Sequence, residues 1–161
     1  MRSLISKLLG RSDPDAAERA SALVVGLFGK HPAWGDHIEN LGDDSEVFLT
    51  VRTLLYREGL AHAIETGAWE KLPVEQRLPG FDHLFVWLLG DRLVIGLLWS
   101  SSDLRGRTEY PLVLAAETAR LPLQAYVGAA LPVLLRARSA CQTASDQTGV
   151  RAAVATARSE L

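Results

Sequence analysis

The chain has 161 residues, a length that fits one domain with a sizeable core. Its 48% apolar and 22% charged content is ordinary for a globular protein and excludes collagen-like, disordered and disulfide-rich chains. The formal net charge is −2, and the body of the chain lacks the basic excess of a nucleic-acid binder, so no nucleic-acid partner is expected. Cys141 is the one cysteine and cannot form an internal disulfide, which makes the cytoplasm the expected compartment.

Residues 1–22 are predicted to be an amphipathic N-terminal segment and linker, and residues 23–161 the folded domain. The opening MRSLISKLLGR places its apolar residues at helical spacing around Lys7. It is too short to span a membrane and lacks the uninterrupted apolar region of a signal peptide. Two interpretations stay open: an anchor for a membrane surface or partner helix, or a frayed terminal turn. No integral membrane span is predicted.

The first two elements of the domain are predicted to be a strand and a long helix. LVVGLF is a short β-rich apolar run that ends at Gly29, as expected for a buried strand. Apolar residues then recur at spacings of three and four from residue 45 to residue 66, with Asp44 or Ser45 available as the cap. We expect this helix to pack Val51, Leu54 and Leu55 against the sheet.

A hairpin, a further strand and two helices are predicted to complete the fold. FDHLFVWLLG and RLVIGLLWS are apolar runs joined at Gly90-Asp91, which is a strong hairpin pattern, and YPLVLAAE reads as another strand. A helix entered at Pro122 should be kinked or divided at Pro132, and a second helix should begin near Cys141. The sequence therefore predicts an α+β domain whose mainly antiparallel sheet contains a central hairpin and is flanked by helices.

The stretch LFGKHPAWGDHIE carries the densest set of chemically active side chains. GLFGK does not have the glycine spacing of a phosphate-binding loop, and neither a GxSxG elbow nor a cysteine-protease signature occurs, so no cofactor is expected. A small metal-dependent hydrolase is the alternative, because His31, Asp36 and His37 could meet the Asp82-His83 pair. The spacing matches no known metal signature. We therefore expect no metal site and hydrogen-bonded, structural histidines.

Two loops offer candidate binding residues. Gly35-Asp36 predicts a tight turn in which the carboxylate accepts from backbone amides, and Trp34 beside it is either a packing anchor or an exposed recognition residue. In DLRGRTEYP, two arginines flank Gly106. This pattern fits an exposed polar loop or a site for a carboxylate or phosphate group.

Read together, these two stretches resemble the TagF (ImpM) family of bacterial proteins associated with type VI secretion, in its amino-terminal domain. The family's first motif, Gly-aromatic-Gly-Lys-x-Pro followed by Gly-Asp, matches Gly26, Phe28, Gly29, Lys30, Pro32, Gly35 and Asp36. Its second motif, Ser-x-Asp-x-x-Gly-Arg leading to an aromatic-Pro-Leu strand, matches Ser101, Asp103, Gly106, Arg107, Tyr110, Pro111 and Leu112. The chain departs from the family pattern at Ser100 and His37, as a divergent member would.

The resemblance implies a regulator without enzymatic activity. Such proteins resemble posttranslational repressors of type VI secretion assembly that contact a protein partner, either a scaffold component of the secretion system or a forkhead-associated regulator. We expect the loops Lys30 to Asp36 and Asp103 to Arg107 to meet at one end of the sheet. Arg107 should pair with Asp36 or Asp103, which would leave Arg105 and Trp34 available to the partner.

Overall fold

The computed structural model describes residues 23–68, 71–73, 75, 80–108, 110–119 and 122–161, so the predictions for residues 1–22 lie outside the described part. The strands are β1 (Val24–Gly29), β2 (Ile38–Gly42), β3 (Asp82–Leu89), β4 (Arg92–Trp99) and β5 (Leu112–Ala119). The helices are α1 (Glu46–Arg52), a π-helical segment (Thr53–Ala61), α2 (His62–Glu65), α3 (Leu123–Thr143) and α4 (Gln147–Glu160). The predicted α+β class is confirmed. Among the described residues, no helix combines the length and the apolar character needed to cross a membrane.

The five strands form one antiparallel sheet in the order β2-β1-β5-β4-β3, and each face of the sheet has its own core. On one face, residues such as Leu27 and Leu114 pack against Tyr126 and Leu134 of α3. On the other face, a second set packs beneath α1 and the π-helical segment; it includes Phe28, Phe48, Val51, Val94 and Val113. Strand β5 lies in the middle of the sheet, and its side chains point alternately to the two faces. Because each face has a core, β5 is buried along its whole length.

The predicted hairpin is present, with β4 inside the sheet and β3 at its edge. Leu89 faces Arg92, which leaves Gly90 and Asp91 as the two-residue turn. Gly90 has a φ of 62°, which glycine adopts without strain in the type of turn that suits a twisted hairpin. In the middle of the hairpin, the Phe85 ring lies over Gly96, where an added Cβ atom would be 2.2 Å from the ring.

Strand β2 was not predicted. Its sequence, IENLG, is short, contains residues that are rare in strands, and buries Ile38 alone. An edge strand of this kind is formed by its backbone pairing with β1 rather than by an apolar pattern of its own. The pairing is irregular, because the register shifts between Leu27 and Gly29.

The long helix begins where predicted, but the expected stripe of buried residues is wrong at Leu54. The Ser45 hydroxyl caps α1 by accepting from the Phe48 N–H at 3.1 Å. From Thr53 the helix adopts π-helical turns, which add a residue per turn and change the face on which later side chains lie. Tyr56, five residues after Val51, is therefore buried, whereas Leu54 is 36% exposed.

The C-terminal part of the chain forms two helices, with one correction. Pro132 does not divide α3, which continues through it to Thr143 and therefore includes Cys141. The second helix, α4, begins later than predicted, at Gln147. Asp146 caps it by accepting from the Gly149 N–H at 2.8 Å.

Candidate functional site

The two loops that carry the motifs meet at one end of the sheet. Strands β1 and β4 are both antiparallel to β5, so they point the same way and their following loops leave from the same end. The Leu104 N–H donates to the Trp34 carbonyl at 2.8 Å, which joins the loops directly. The predicted juxtaposition is therefore present, although β5 separates the two strands.

Asp103 is the centre of this junction and its side chain is buried. One carboxylate oxygen accepts from the Arg105 N–H at 2.9 Å and the Arg107 N–H at 3.0 Å, while the other accepts from the Arg107 Nε at 2.6 Å. Lys30 Nζ lies 3.7 Å from that second oxygen. Burial would raise the pKa of Asp103, but the hydrogen bonds from Arg107 and Arg105 outweigh it and hold the pKa below its usual value.

Arg107 extends from Asp103 to the first loop. Its guanidinium donates to the Gly35 carbonyl at 3.2 Å and lies 3.4 Å from Asp36 Oδ1. Asp36 is itself a turn residue, since it accepts from the His37 N–H at 2.9 Å. That backbone hydrogen bond, together with the charge of Arg107, lowers the pKa of Asp36. Arg107 therefore links both aspartates and stabilises the junction of the two loops, as predicted.

Lys30 lies on the inner side of the junction, beside an aromatic cluster. The lysine is buried, and its Nζ is 5.6 Å from the centre of the Tyr110 ring. Tyr110 contacts Tyr56 and His37, with ring centres 5.3 and 4.8 Å away. The Tyr56 hydroxyl donates to the Pro111 carbonyl at 2.6 Å. Lys30 therefore stabilises the loop from inside rather than contacting solvent.

Gly29 is required by the close approach of these groups. It has a φ of 119°, and an added Cβ atom would be 2.2 Å from the Pro111 carbonyl oxygen and 2.3 Å from the Tyr56 hydroxyl. Only glycine fits both the conformation and the space. The glycine before Lys30 in the motif thus allows β1, β5 and the π-helical segment to meet.

His31 and Trp34 anchor the first loop to the helices. The Ala33 N–H donates to His31 Nδ1 at 3.1 Å, so Nε2 carries the hydrogen and donates to the Cys141 carbonyl at 2.9 Å. The Trp34 ring packs edge-on against His31, with centres 5.5 Å apart, and lies under the Arg151 guanidinium at 5.9 Å. Of the two roles considered for Trp34, these contacts favour the packing anchor, and the ring is half-buried.

The outer surface of the junction presents a small set of exposed residues. Pro32, Gly35, Arg105 and Gly106 are exposed, and so is Leu104, at 70%. The sequence predicts an exposed polar loop here and does not identify Leu104 as a contact residue. The sequence does contain a signal for this residue: a single leucine in the polar loop SSSDLRGRTE, outside any helix or strand pattern, is expected to be exposed.

The two Asp-His pairs considered for a metal site do not face each other. His37 precedes β2 at one edge of the sheet, whereas Asp82 and His83 begin β3 at the opposite edge. Four strand spacings of about 4.8 Å separate those edges. Within the described residues, no three His, Cys, Asp or Glu side chains are grouped closely enough to hold a metal ion. Burial also raises the pKa of the Cys141 thiol to about 11, unlike that of a catalytic nucleophile.

A shallow cleft of about 260 Å³ lies beside the aromatic cluster. Its lining consists of His37, Ile38, Glu39, Arg52, Thr53, Tyr56 and Arg57. Arg52 is engaged with Glu39, donating to its backbone carbonyl at 2.6 Å and lying 3.3 Å from its carboxylate. The cleft therefore offers a mixed polar surface without a convergent set of catalytic groups.

No protein-family model matches this sequence, and no curated protein matches it. Functional inference therefore depends on the residues at the junction and on the motif resemblance.

Proposed function

We propose that this chain is a non-enzymatic interaction module that regulates the assembly of a type VI secretion system in the bacterial cytoplasm. Its partner would be a protein, either a scaffold component of the secretion system or a forkhead-associated regulator. The proposal depends on the resemblance to the TagF (ImpM) family, whose two motifs span the loops that meet at the junction. The metal-dependent hydrolase has no comparable support from the positions of its candidate ligands.

One observation carries the proposal: the two arginines of the second loop have different surroundings. Arg107 is held by Asp103, the Gly35 carbonyl and Asp36, so it braces the protein itself. Arg105 is anchored by its backbone N–H to Asp103, while its side chain is exposed next to Leu104. A rigidly held loop that presents an arginine and a leucine offers a charged and an apolar contact with little ordering cost on binding.

The side chain of Arg105 suits an acidic or phosphorylated surface on the partner. Its planar guanidinium can bind a carboxylate or phosphate through two parallel hydrogen bonds, and Leu104 would pack against an apolar rim. In the proposed division of roles, the buried Lys30-Asp103-Arg107 group fixes the geometry and the exposed pair makes the contact. Trp34 contributes chiefly by holding the first loop.

The test measures binding to the purified forkhead-associated protein and scaffold components of the same secretion system. Arg105→Glu should weaken binding at least about tenfold while leaving the melting temperature nearly unchanged, because truncating a central interface arginine commonly costs more than 1 kcal/mol. Arg158→Glu is the control for the charge change, at Asp43, which follows β2 at the opposite end of the sheet; because Arg158 pairs with Asp43, the melting temperature of this variant is measured too and binding is compared where both variants are folded. Unchanged binding by Arg105→Glu, or no binding by the native chain, would refute the proposal.

A further inference from the structure

Strand β3 is an exposed sheet edge within the part of the chain that the structure describes. It is eight residues long, about 27 Å at 3.4 Å per residue, and none of the described strands pairs with its outer side. Natural edge strands are commonly protected by lysine, proline or a bulge. The sequence DHLFVWLL contains no lysine or proline, and its register with β4 is unbroken.

The exposed side chains of β3 are apolar and lie on one face. Leu84, Val86 and Leu88 are 49, 40 and 69% exposed. They stand opposite Leu97, Ile95 and Leu93 of β4, on the side of the sheet that α3 covers further in. On this face, the edge of the sheet therefore exposes a row of apolar side chains instead of polar ones.

The same three residues direct their backbone groups outward. The Ser100 N–H donates to the Phe81 carbonyl at 2.9 Å, so residue 81 points its backbone towards β4. Because successive residues of an antiparallel strand point alternately to its two sides, Leu84, Val86 and Leu88 point theirs to the open edge. One set of residues thus offers both hydrogen-bonding groups and apolar surface.

We propose that this edge binds a second copy of the chain through antiparallel β3–β3 pairing, centred on Val86. In this register Val86 faces Val86 of the second copy and Leu84 faces Leu88. On the other face of the sheet, Phe85 faces Trp87. The pairing joins two five-stranded sheets into one of ten strands.

Self-complementarity is the reason for choosing a second copy as the occupant. Residues 83–89 map onto themselves about Val86, so the strands overlap along almost their whole length. Within residues 83–89, each outward backbone group meets a partner, and each of the exposed apolar side chains Leu84, Val86 and Leu88 meets another apolar side chain. The net charge of −2 per chain opposes association only weakly.

Helix α3 extends this surface. Arg138 forms an ion pair with Asp82, which places the C-terminal half of α3 beside the start of β3. Leu135 lies three residues earlier, on the same side of the helix, and is 38% exposed. Helix α3 therefore adds an exposed apolar side chain near the strand edge.

The first test is the oligomeric state of the full chain, measured by analytical ultracentrifugation over a range of concentrations. The native chain should be a dimer. Val86→Lys places two like charges opposite each other across the axis and should raise the dimer dissociation constant at least about tenfold. Leu49→Lys is the matched control, because Leu49 is 43% exposed on α1 and should leave the dimer intact. A native chain that is monomeric at all concentrations overturns the proposal, as does a dimer unaffected by Val86→Lys.

Cross-linking tests the register with variants that preserve the fold. Opposed residues in a hydrogen-bonded antiparallel pair have Cα atoms about 5.5 Å apart, within disulfide range, so Val86→Cys should form an intermolecular disulfide on mild oxidation. Leu84→Cys should not, since its counterpart lies about 14 Å along the strand. Native Cys141 is buried and should not react. Equal cross-linking of the two variants, or none by Val86→Cys, overturns the register.

Discussion

The π-helical segment makes a quantitative prediction about two neighbouring side chains, Leu54 and Tyr56. A regular α-helix continuing the Val51 stripe would bury Leu54, whereas the structure buries Tyr56 and leaves Leu54 36% exposed. Tyr56→Ala should lower the free energy of unfolding by about 3–5 kcal/mol, the range for removing a buried aromatic side chain. Leu54→Ala should cost less than about 1 kcal/mol, because its side chain retains solvent contact.

The hydroxyl of Tyr56 can be separated from its ring. Tyr56→Phe removes the donor to the Pro111 carbonyl, but that carbonyl still accepts from the Lys30 N–H at 3.3 Å. Since the acceptor keeps one partner, the cost should be about 0.5–1.5 kcal/mol. The rest of the destabilisation caused by Tyr56→Ala should come mainly from losing the ring contacts with Phe28 and Tyr110, whose centres are 5.4 and 5.3 Å away.

Urea unfolding followed by tryptophan fluorescence would measure all three variants on the same scale. Tyr56→Ala should destabilise the protein most. Tyr56→Phe should have a smaller effect, and Leu54→Ala an effect no larger than that of Tyr56→Phe. A Leu54→Ala variant as unstable as Tyr56→Ala would show that the helix follows a regular α-helical stripe. That result would refute the assignment of the buried face.

Two further predictions concern the loop junction. The pKa of Asp103 is lower in the folded protein than the unfolded value of about 3.9, so its ionised form stabilises the native state above that pH, and this contribution is lost as pH falls through the folded pKa. The melting temperature of Asp103→Asn should therefore be well below that of the native chain near neutral pH, with the gap narrowing below about pH 4; a constant gap would argue against this linkage. Gly29→Ala should destabilise by about 3 kcal/mol or more in urea unfolding, since strain at its φ of 119° and overpacking against Pro111 each cost about 1–3 kcal/mol. An unchanged free energy of unfolding in Gly29→Ala would mean that β1 and β5 can move apart there without destabilising the protein.

The hairpin could be predicted from sequence because its information is local. Two apolar runs on either side of Gly90-Asp91 specify both the strands and the turn that joins them. Strand β2 could not, since IENLG has no apolar alternation and is formed by pairing with β1. The burial of Tyr56 escaped prediction for a related reason. The π-helical turns bring Tyr56 to Phe28 of β1 and to the Pro111 carbonyl before β5, both distant in sequence, so a periodicity of 3.6 residues assigns the wrong face.

The candidate site shows the same limit at the level of single residues. The sequence predicted that the two loops meet and that Arg107 pairs with an aspartate, because both loops follow strands and both carry the motifs of the resemblance. It did not reveal that Arg107 contacts both Asp36 and Asp103, or that Trp34 packs against Arg151 of α4. The longest of these contacts joins positions 34 and 151, 117 residues apart, and the tertiary fold brings such segments together.

The two proposed surfaces lie at different places on the molecule, and their relation follows from the direction of β3. Asp82 begins this strand opposite Trp99, at the same end of the sheet as the loop junction. Antiparallel pairing about Val86 turns the second copy end for end, so the two junctions point away from each other at opposite ends of the ten-stranded sheet. A dimer of this form would present Arg105 to two separate partner molecules rather than enclose one. Loss of the β3 pairing therefore changes how many partner sites one particle carries, whereas a change at Arg105 weakens each site individually.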